Sequence, residues 1–185
     1  MRFAAFFRNL NLGRAGSPTK AQLVAAFEAA GARDVMSVHA HGNVAFSAAD
    51  VRKARAIATK ASEQLRTLCG LDEPVFVRSL NYLAGLIAAK PFASAPGDGI
   101  YEQCVTFLPQ DLAAMTDLPI VTARRDAEIF AFVPGEAFSV TRLVGGRPGA
   151  VNALLERRLR TRLTSRSWTT VERMAQALPA ARATR

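Results

Sequence analysis

The sequence is poor in the residues that build disulfide frameworks, metal centres and membrane spans. Its 185 residues include two cysteines and two histidines. Two cysteines in so long a chain exclude a disulfide framework, and Cys69, Cys104, His39 and His41 lack metal-ligand spacing. No apolar run approaches the roughly 18 residues of a membrane span, and residues 3–7 are too few for a signal peptide. We therefore expect a cytoplasmic protein with no metal, no cofactor and no membrane partner.

Lysine is also scarce, so arginine carries almost all of the positive charge. Lys and Arg together number 24 against 15 Asp and Glu, and the formal net charge is +9 at pH 7. Residues 151–185 hold eight arginines and two glutamates, a net charge of +6. Such a cluster is typical of a solvated helix face and a basic tail, and because it can also bind phosphates, a nucleic-acid partner is the alternative. The candidate contacts are Arg157, Arg158, Arg160 and Arg162.

The order of apolar runs and turn signals predicts an α+β protein. Its first part, residues 1–93, follows the order β-α-β-β-α-β of the ferredoxin-like unit. The predicted strands are residues 2–8, 35–38, 44–46 and 75–78. Ser17, followed by Pro18, is predicted to cap the first helix, and Ser47 to open the second through a capping box with Asp50.

The second part is predicted to be antiparallel and to end in two helices. A connection rich in proline and glycine, residues 94–99, separates it from the first part. The strand-like segments of this second part, residues 100–179, are residues 103–108, 119–123, 128–133 and 138–143. A loop at residues 145–149 leads into the first of the two helices. Residues 180–185 are predicted to be a frayed tail.

Several short segments match a family pattern. Residues 8–13, RNLNLG, and residues 41–46, HGNVAF, are similar to the RGINVG opening and the SGNVVF segment of a bacterial family described only as a domain of unknown function, DUF1697. Weaker similarities follow in the family's order at residues 90–92, 152–159 and 164–171. The resemblance covers nearly the whole chain. It implies an α+β protein with a ferredoxin-like first half and no assigned activity.

The chain departs from that family pattern at several positions. Asn9 replaces a glycine, Ala40 a glutamine, His41 a serine, Ser167 an asparagine and Gly149 a lysine. If the polar family positions form a site, the residue types of that site differ in part in this chain.

The predicted sheet brings two distant segments together. In a β-α-β-β-α-β unit the first and third strands are antiparallel neighbours, so the end of the first lies beside the start of the third. We therefore expect one sheet edge to carry Arg8, Asn9, Asn11, His41, Gly42 and Asn43. This set, beside a helix N-terminus, suits a small anionic or carbonyl-bearing ligand. In the alternative, the asparagines serve the turns, Gly42 supplies a positive φ, and Arg8 pairs with a carboxylate.

Two further candidate sites are less specific. Arg166 and Trp168 are residue types that clamp or stack a base or sugar, and also types that cap carbonyls or anchor a core. His41 is the candidate acid or base of an enzyme, since imidazole titrates near neutrality, although no nucleophile motif accompanies it. The sequence thus predicts a small-anion-binding protein without catalysis. Nucleic-acid binding and an enzyme that uses His41 are the alternatives.

Overall fold

The described part of the chain forms two compact units. A computed structural model describes residues 1–112 and 115–177. The first unit contains Met1–Gly85 and residues 172–177, and the second contains Leu86–Val171. The predicted connection at residues 94–99 lies within the second unit, and the predicted tail at residues 180–185 lies outside the described residues. No helix in these ranges is long and apolar enough to cross a membrane.

A four-stranded antiparallel sheet forms the centre of the first unit. Its strands are β1 (Arg2–Phe7), β2 (Arg33–Val38), β3 (Asn43–Ser47) and β4 (Val75–Ser79), in the spatial order β2-β3-β1-β4. Strand β1 pairs antiparallel with β3 and with β4, so Phe6 lies opposite Asn43 on one side and Phe76 on the other. The mixed α+β class and the predicted adjacency of the first and third strands are therefore confirmed.

Two helices of this unit, α1 (Lys20–Ala29) and α2 (Val51–Cys69), pack on one face of the sheet. Alternate residues of β1, namely Phe3, Ala5 and Phe7, belong to the core that these helices complete. The ring centroid of Phe27 in α1 lies 6.0 Å from that of Phe7 and 5.2 Å from that of Phe46. All five apolar residues of β1 are buried, as an uninterrupted apolar strand predicts.

Helix α1 begins two residues beyond its predicted start. The side chain of Thr19 accepts a hydrogen bond from the Gln22 N–H at 3.2 Å, and the Gln22 side chain accepts one from the Thr19 N–H at 2.8 Å. This reciprocal cap satisfies two backbone donors, whereas a cap at Ser17 would offer no such pair. The predicted cap at Ser17 is therefore wrong.

Helix α2 also begins beyond its predicted cap. The N-cap is Asp50, whose carboxylate accepts a hydrogen bond from the Lys53 N–H at 2.7 Å. Ser47 cannot cap the helix because it still belongs to β3, where it pairs with Arg2 of β1. The predicted capping box at Ser47 is therefore wrong, although its partner Asp50 is the residue that caps the helix.

The second unit is built around a five-stranded antiparallel sheet. The chain crosses between the units within α3 (Leu80–Ala88) and again within α5 (Trp168–Ala175). The other elements, in chain order, are β5 (Glu102–Phe107), β6 (Ile120–Val121), β7 (Ala127–Val133), β8 (Glu136–Thr141), β9 (Leu143–Val144), β10 (Arg147–Pro148), α4 (Val151–Leu159) and β11 (Thr164–Ser167). The sheet has the order β11-β5-β8-β7-β6, and β9 and β10 form a separate hairpin.

Two elements of the second unit differ from the prediction. Residues 145–149 were predicted as a plain loop, but Gly145 and Gly146 form the turn of the β9-β10 hairpin. Both glycines have positive φ, +61° and +74°, which two-residue hairpin turns require and side chains disfavour. Strand β11 was not predicted, because its residues TSRS show no apolar alternation. Pairing with β5 makes this segment a strand.

Candidate functional site

The end of β1 and the turn between β2 and β3 meet at one edge of the first sheet. The N–H of Phe7 donates to the Gly42 carbonyl at 2.9 Å, and the N–H of Leu12 donates to the Ala40 carbonyl at 2.8 Å. This edge carries the residues that we call the polar edge, which are Arg8, Asn9, Asn11, His41, Gly42 and Asn43. Antiparallel pairing thus brings together residues more than thirty positions apart, as the sequence predicted.

The guanidinium of Arg8 holds a carboxylate from another part of the chain. Its Nη1 donates to Glu73 Oε1 at 2.7 Å and to Glu73 Oε2 at 2.8 Å. The amide Nδ2 of Asn9 donates to the same Oε1 at 3.0 Å. Both charged side chains are 18% exposed, so the pair lies at the surface but is partly shielded from water. Arg8 and Asn9 together place three hydrogen bonds on one carboxylate, and the pairing of Arg8 with a carboxylate is what the alternative interpretation of the sequence predicted.

Sequence reasoning missed Glu73, which lies in the connection between α2 and β4. The backbone N–H of Arg8 donates to the Pro74 carbonyl at 3.0 Å, and Phe7 pairs with Val75 at the start of β4. The available signal was topological. In a β-α-β-β-α-β unit the fourth strand is also a neighbour of the first, so the start of β4 lies beside the end of β1.

Asn9 occupies a backbone conformation that most side chains avoid. Its φ is +49°, in the left-handed region where glycine and asparagine are the residues most easily accommodated. Asn9 suits the turn and supplies the amide that contacts Glu73.

Gly42 is required at the polar edge for two separate reasons. Its φ is +66°, and a Cβ added to it would lie 2.6 Å from the Cβ of Leu10. Leu10 is buried, at 2% exposure, so the two loops of the polar edge pack in direct contact at this point. The sequence predicted the positive φ but not this close packing.

The remaining polar-edge residues differ in accessibility. Asn43 is buried within β3, whereas Asn11 is half-buried and His41 is exposed in the turn. The other histidine, His39, is also exposed, and its Nε2 lies 3.4 Å from Nη1 of Arg173. Asn9 and His41 are therefore the exposed side chains of the polar edge, and Arg8 and Asn11 are half-buried.

The second predicted pair, Arg166 and Trp168, lies in the second unit. Nη1 of Arg166 donates to Thr164 Oγ1 at 2.7 Å and to the Ser165 carbonyl at 2.8 Å. Burial lowers the pKa of Arg166 to about 10. Trp168 is 9% exposed, and its ring centroid lies 5.1 Å from that of Phe92. These contacts match the interpretation in which the arginine caps carbonyls and the tryptophan anchors the core.

The predicted nucleic-acid contacts lie in and after helix α4. Arg157, Arg158, Arg160 and Arg162 are all exposed. Arg157 and Arg158 belong to the last turn of α4, where the helix dipole favours positive charge. Arg160 is the C-cap, with φ +50°. We call these four residues the α4 arginines.

Neither cysteine has the environment of a nucleophile. Burial, reinforced by the neighbouring carboxylate of Glu102, raises the pKa of the Cys104 thiol above its ordinary value. The Cys69 thiol, at the end of α2, donates to the Leu65 carbonyl at 3.2 Å. In residues 1–112 and 115–177, no three His, Cys, Asp or Glu side chains are grouped so that they could hold a metal ion.

Comparison with known families identifies the chain. The family model described as "Protein of unknown function (DUF1697)" matches residues 1–138. The chain belongs to the DUF1697 family. The predicted family is therefore confirmed over residues 1–138, and its description assigns no activity.

A solved structure shares the fold of this DUF1697 protein. It is the conserved bacterial protein SP0830 from Streptococcus pneumoniae, which is 18% identical, with a TM-score of 0.64 over 95% of this chain and 97% of that chain. At this identity the similarity shows the fold alone. The search of curated proteins finds no match. These comparisons show family and fold and assign no specific function.

Proposed function

We propose that this DUF1697 protein binds a small anionic ligand at the polar edge and catalyses no reaction there. The observation that supports the proposal is that Arg8 and Asn9 bind the carboxylate of Glu73 through three hydrogen bonds between 2.7 and 3.0 Å. Hydrogen bonds between charged groups are stronger than neutral ones, and arginine is the side chain best suited to carboxylates and phosphates. The polar edge therefore contains donors that can recognise an anion.

The composition of the polar edge favours binding over chemistry. It consists of a guanidinium, three amides, one imidazole and one glycine. Guanidinium and amide groups orient a ligand, and the imidazole of His41 has no hydroxyl, thiol or amine among the polar-edge side chains to activate. Both Cys69 and Cys104 are free thiols, which fits the reducing cytoplasm in which we propose that the protein acts.

A screen of small carboxylates and phosphorylated metabolites by thermal shift, followed by calorimetric titration, tests the proposal. Arg8→Met removes the guanidinium and keeps the aliphatic stem. It should weaken the binding of a genuine ligand by roughly 10- to 100-fold, the value of a hydrogen bond to a charged group. Arg14→Met, in the exposed part of the same loop, removes an equal charge and should leave the affinity unchanged. A ligand that binds Arg8→Met as tightly as the wild type would refute this location.

We propose nucleic-acid binding through the α4 arginines as the second candidate function. Its support is the exposure of four arginines within six consecutive positions, two of them in the last turn of α4. Exposed guanidiniums at this density can neutralise adjacent phosphates and release counterions.

Salt-dependent binding of a single-stranded DNA oligonucleotide tests this second candidate. Each phosphate contact contributes about −0.7 to the slope of log affinity against log salt, so four contacts predict a slope near −3. Replacing the α4 arginines by glutamine should remove most of that slope. The matched control replaces four exposed basic residues of α2, which are Arg52, Lys53, Arg55 and Lys60. An equal reduction of the slope in both variants would show that binding depends only on net charge, and it would refute a site at the α4 arginines.

A further inference from the structure

The carboxylate of Glu73 occupies the place at which Arg8 and Asn9 would hold an anion. We infer that the ligand of the polar edge carries a carboxylate and binds by displacing the Glu73 side chain, which acts as an internal competitor. This inference rests on the proposed function. It adds the chemical class of the ligand and the group that the ligand must replace.

The arrangement of donors matches a carboxylate. Arg8 Nη1 contacts both oxygens of Glu73, and the Asn9 amide adds a second hydrogen bond to Oε1. Arg8 Nη1 and Asn9 Nδ2 thus donate to two oxygens that lie in one plane on a single carbon. A phosphate presents three or four oxygens in a tetrahedral arrangement and carries more charge than one guanidinium neutralises. The contacts therefore favour a carboxylate over a phosphate.

A rotation of the Glu73 side chain would move its carboxylate away from Arg8 and Asn9. The Glu73 side chain is 18% exposed, so its carboxylate can turn toward water. The backbone stays in place because the Arg8 N–H donates to the Pro74 carbonyl and Phe7 pairs with Val75. Ion pairs near the surface contribute little to stability, so this competition should reduce ligand affinity by no more than about tenfold.

Asn9 contributes to the carboxylate site through its side chain. Its amide Nδ2 lies 3.0 Å from Oε1, and glycine, which the φ of +49° would also suit, has no side-chain donor. Asn9→Gly should therefore keep the turn and weaken the recognition of a carboxylate.

Chemical rescue with acetate tests the inference. Glu73→Ala removes the internal carboxylate and leaves Arg8 and Asn9 in place. Sodium acetate should raise the melting temperature of Glu73→Ala more than that of the wild type, with sodium chloride at equal ionic strength as the baseline. The gain should disappear in the double variant Arg8→Met/Glu73→Ala. Glu28→Ala, which removes an exposed glutamate of α1, should respond to acetate like the wild type.

Several results would overturn the inference. One is an equal acetate response in Glu73→Ala and the double variant, since acetate would then act elsewhere. Another is inorganic phosphate stabilising Glu73→Ala as much as acetate does, which would refute the carboxylate class. Should Glu73→Ala fail to fold, the isosteric Glu73→Gln is titrated with acetate by NMR. It should bind about two- to tenfold more tightly than the wild type, and an unchanged affinity would refute the competition.

A different result would refute the proposed function. That result is a screen that yields no ligand whose binding depends on Arg8. A ligand that depends on Arg8 but binds the wild type and Glu73→Gln equally well would leave the proposed function standing and would overturn only the displacement of Glu73.

Discussion

The replacement of Gly42 by alanine is a sharp test of how the polar edge is packed. Gly42 has φ +66°, and the added Cβ would lie 2.6 Å from the Cβ of Leu10. A Cβ cannot be moved by choosing another rotamer, so the strain can be relieved only by a shift of one of the two loops. Gly70 provides a matched control in the same unit, since its φ is +73° and nothing lies within 4 Å of an added Cβ.

The two substitutions separate two contributions to the free energy of unfolding. Both place an alanine in the left-handed region, which costs an L-residue about 1–2 kcal/mol. Only Gly42→Ala adds the steric conflict with Leu10, and overpacking of a buried site costs typically about 1–3 kcal/mol. We therefore expect Gly42→Ala to be less stable than Gly70→Ala by about 1–3 kcal/mol. In a protein of this length, that difference lowers the melting temperature by roughly 2–12 °C.

Urea and thermal unfolding, followed by far-ultraviolet circular dichroism, measure this difference. Both positions lie in the first unit, so the comparison stays valid if the two units unfold in separate transitions. Equal stabilities for Gly42→Ala and Gly70→Ala would refute the reasoning. They would mean that Leu10 and the turn before β3 are not in tight contact, and the polar edge would then be looser than described.

Two further predictions concern the second unit. Since burial and the carboxylate of Glu102 raise the pKa of Cys104 above its ordinary value of 9.0, the thiol ionises first in the unfolded chain. The free energy of unfolding therefore keeps the full contribution of the protonated thiol below pH 9.0 and loses about 1.4 kcal/mol one pH unit above it. Urea unfolding of Cys104→Ala should lack this loss. An identical pH profile in the variant and the wild type would contradict the assignment. A Cβ at Gly149 would overlap the Asp126 carbonyl oxygen, a backbone atom, whereas one at Gly146 meets nothing within 4 Å, so Gly146→Ala carries only the cost of about 1–2 kcal/mol of its left-handed φ. Gly149→Ala should lower the urea midpoint by more than this, and an equal or smaller effect than that of Gly146→Ala would show that the Asp126 segment yields easily.

Local sequence signals predicted most of the first unit. The apolar run of β1, the turn at residues 41–43 and the periodicity of α2 each depend on neighbours within a few positions, which a sequence displays directly. The helix starts were misplaced because several polar residues precede each helix, and the path of the backbone decides which of them is hydrogen-bonded. Ser47 is the clear case, since it remains paired in β3.

The second unit shows where local signals fail. Strand β11 is short and polar, and it is a strand because β5 offers an unpaired edge along Cys104–Phe107. The close approach of Gly149 to the Asp126 carbonyl has no counterpart in local pattern either. Both features depend on residues that are distant in sequence, so the periodicity of a short segment does not predict them.

The sequence by itself determined the class of the fold, the order of elements in the first unit, the family, and the convergence of Arg8 with the turn at residues 41–43. The fold class, the order of elements and the convergence follow from local periodicity and from the few ways in which a β-α-β-β-α-β chain can pair, whereas the family follows from the resemblance of short motifs. Only the tertiary structure decided that Arg8 already holds a carboxylate, because its partner Glu73 lies 65 positions away. A hydrogen bond depends on distance and angle in space. Residue types report which groups are able to form one, and the folded chain selects which of them do.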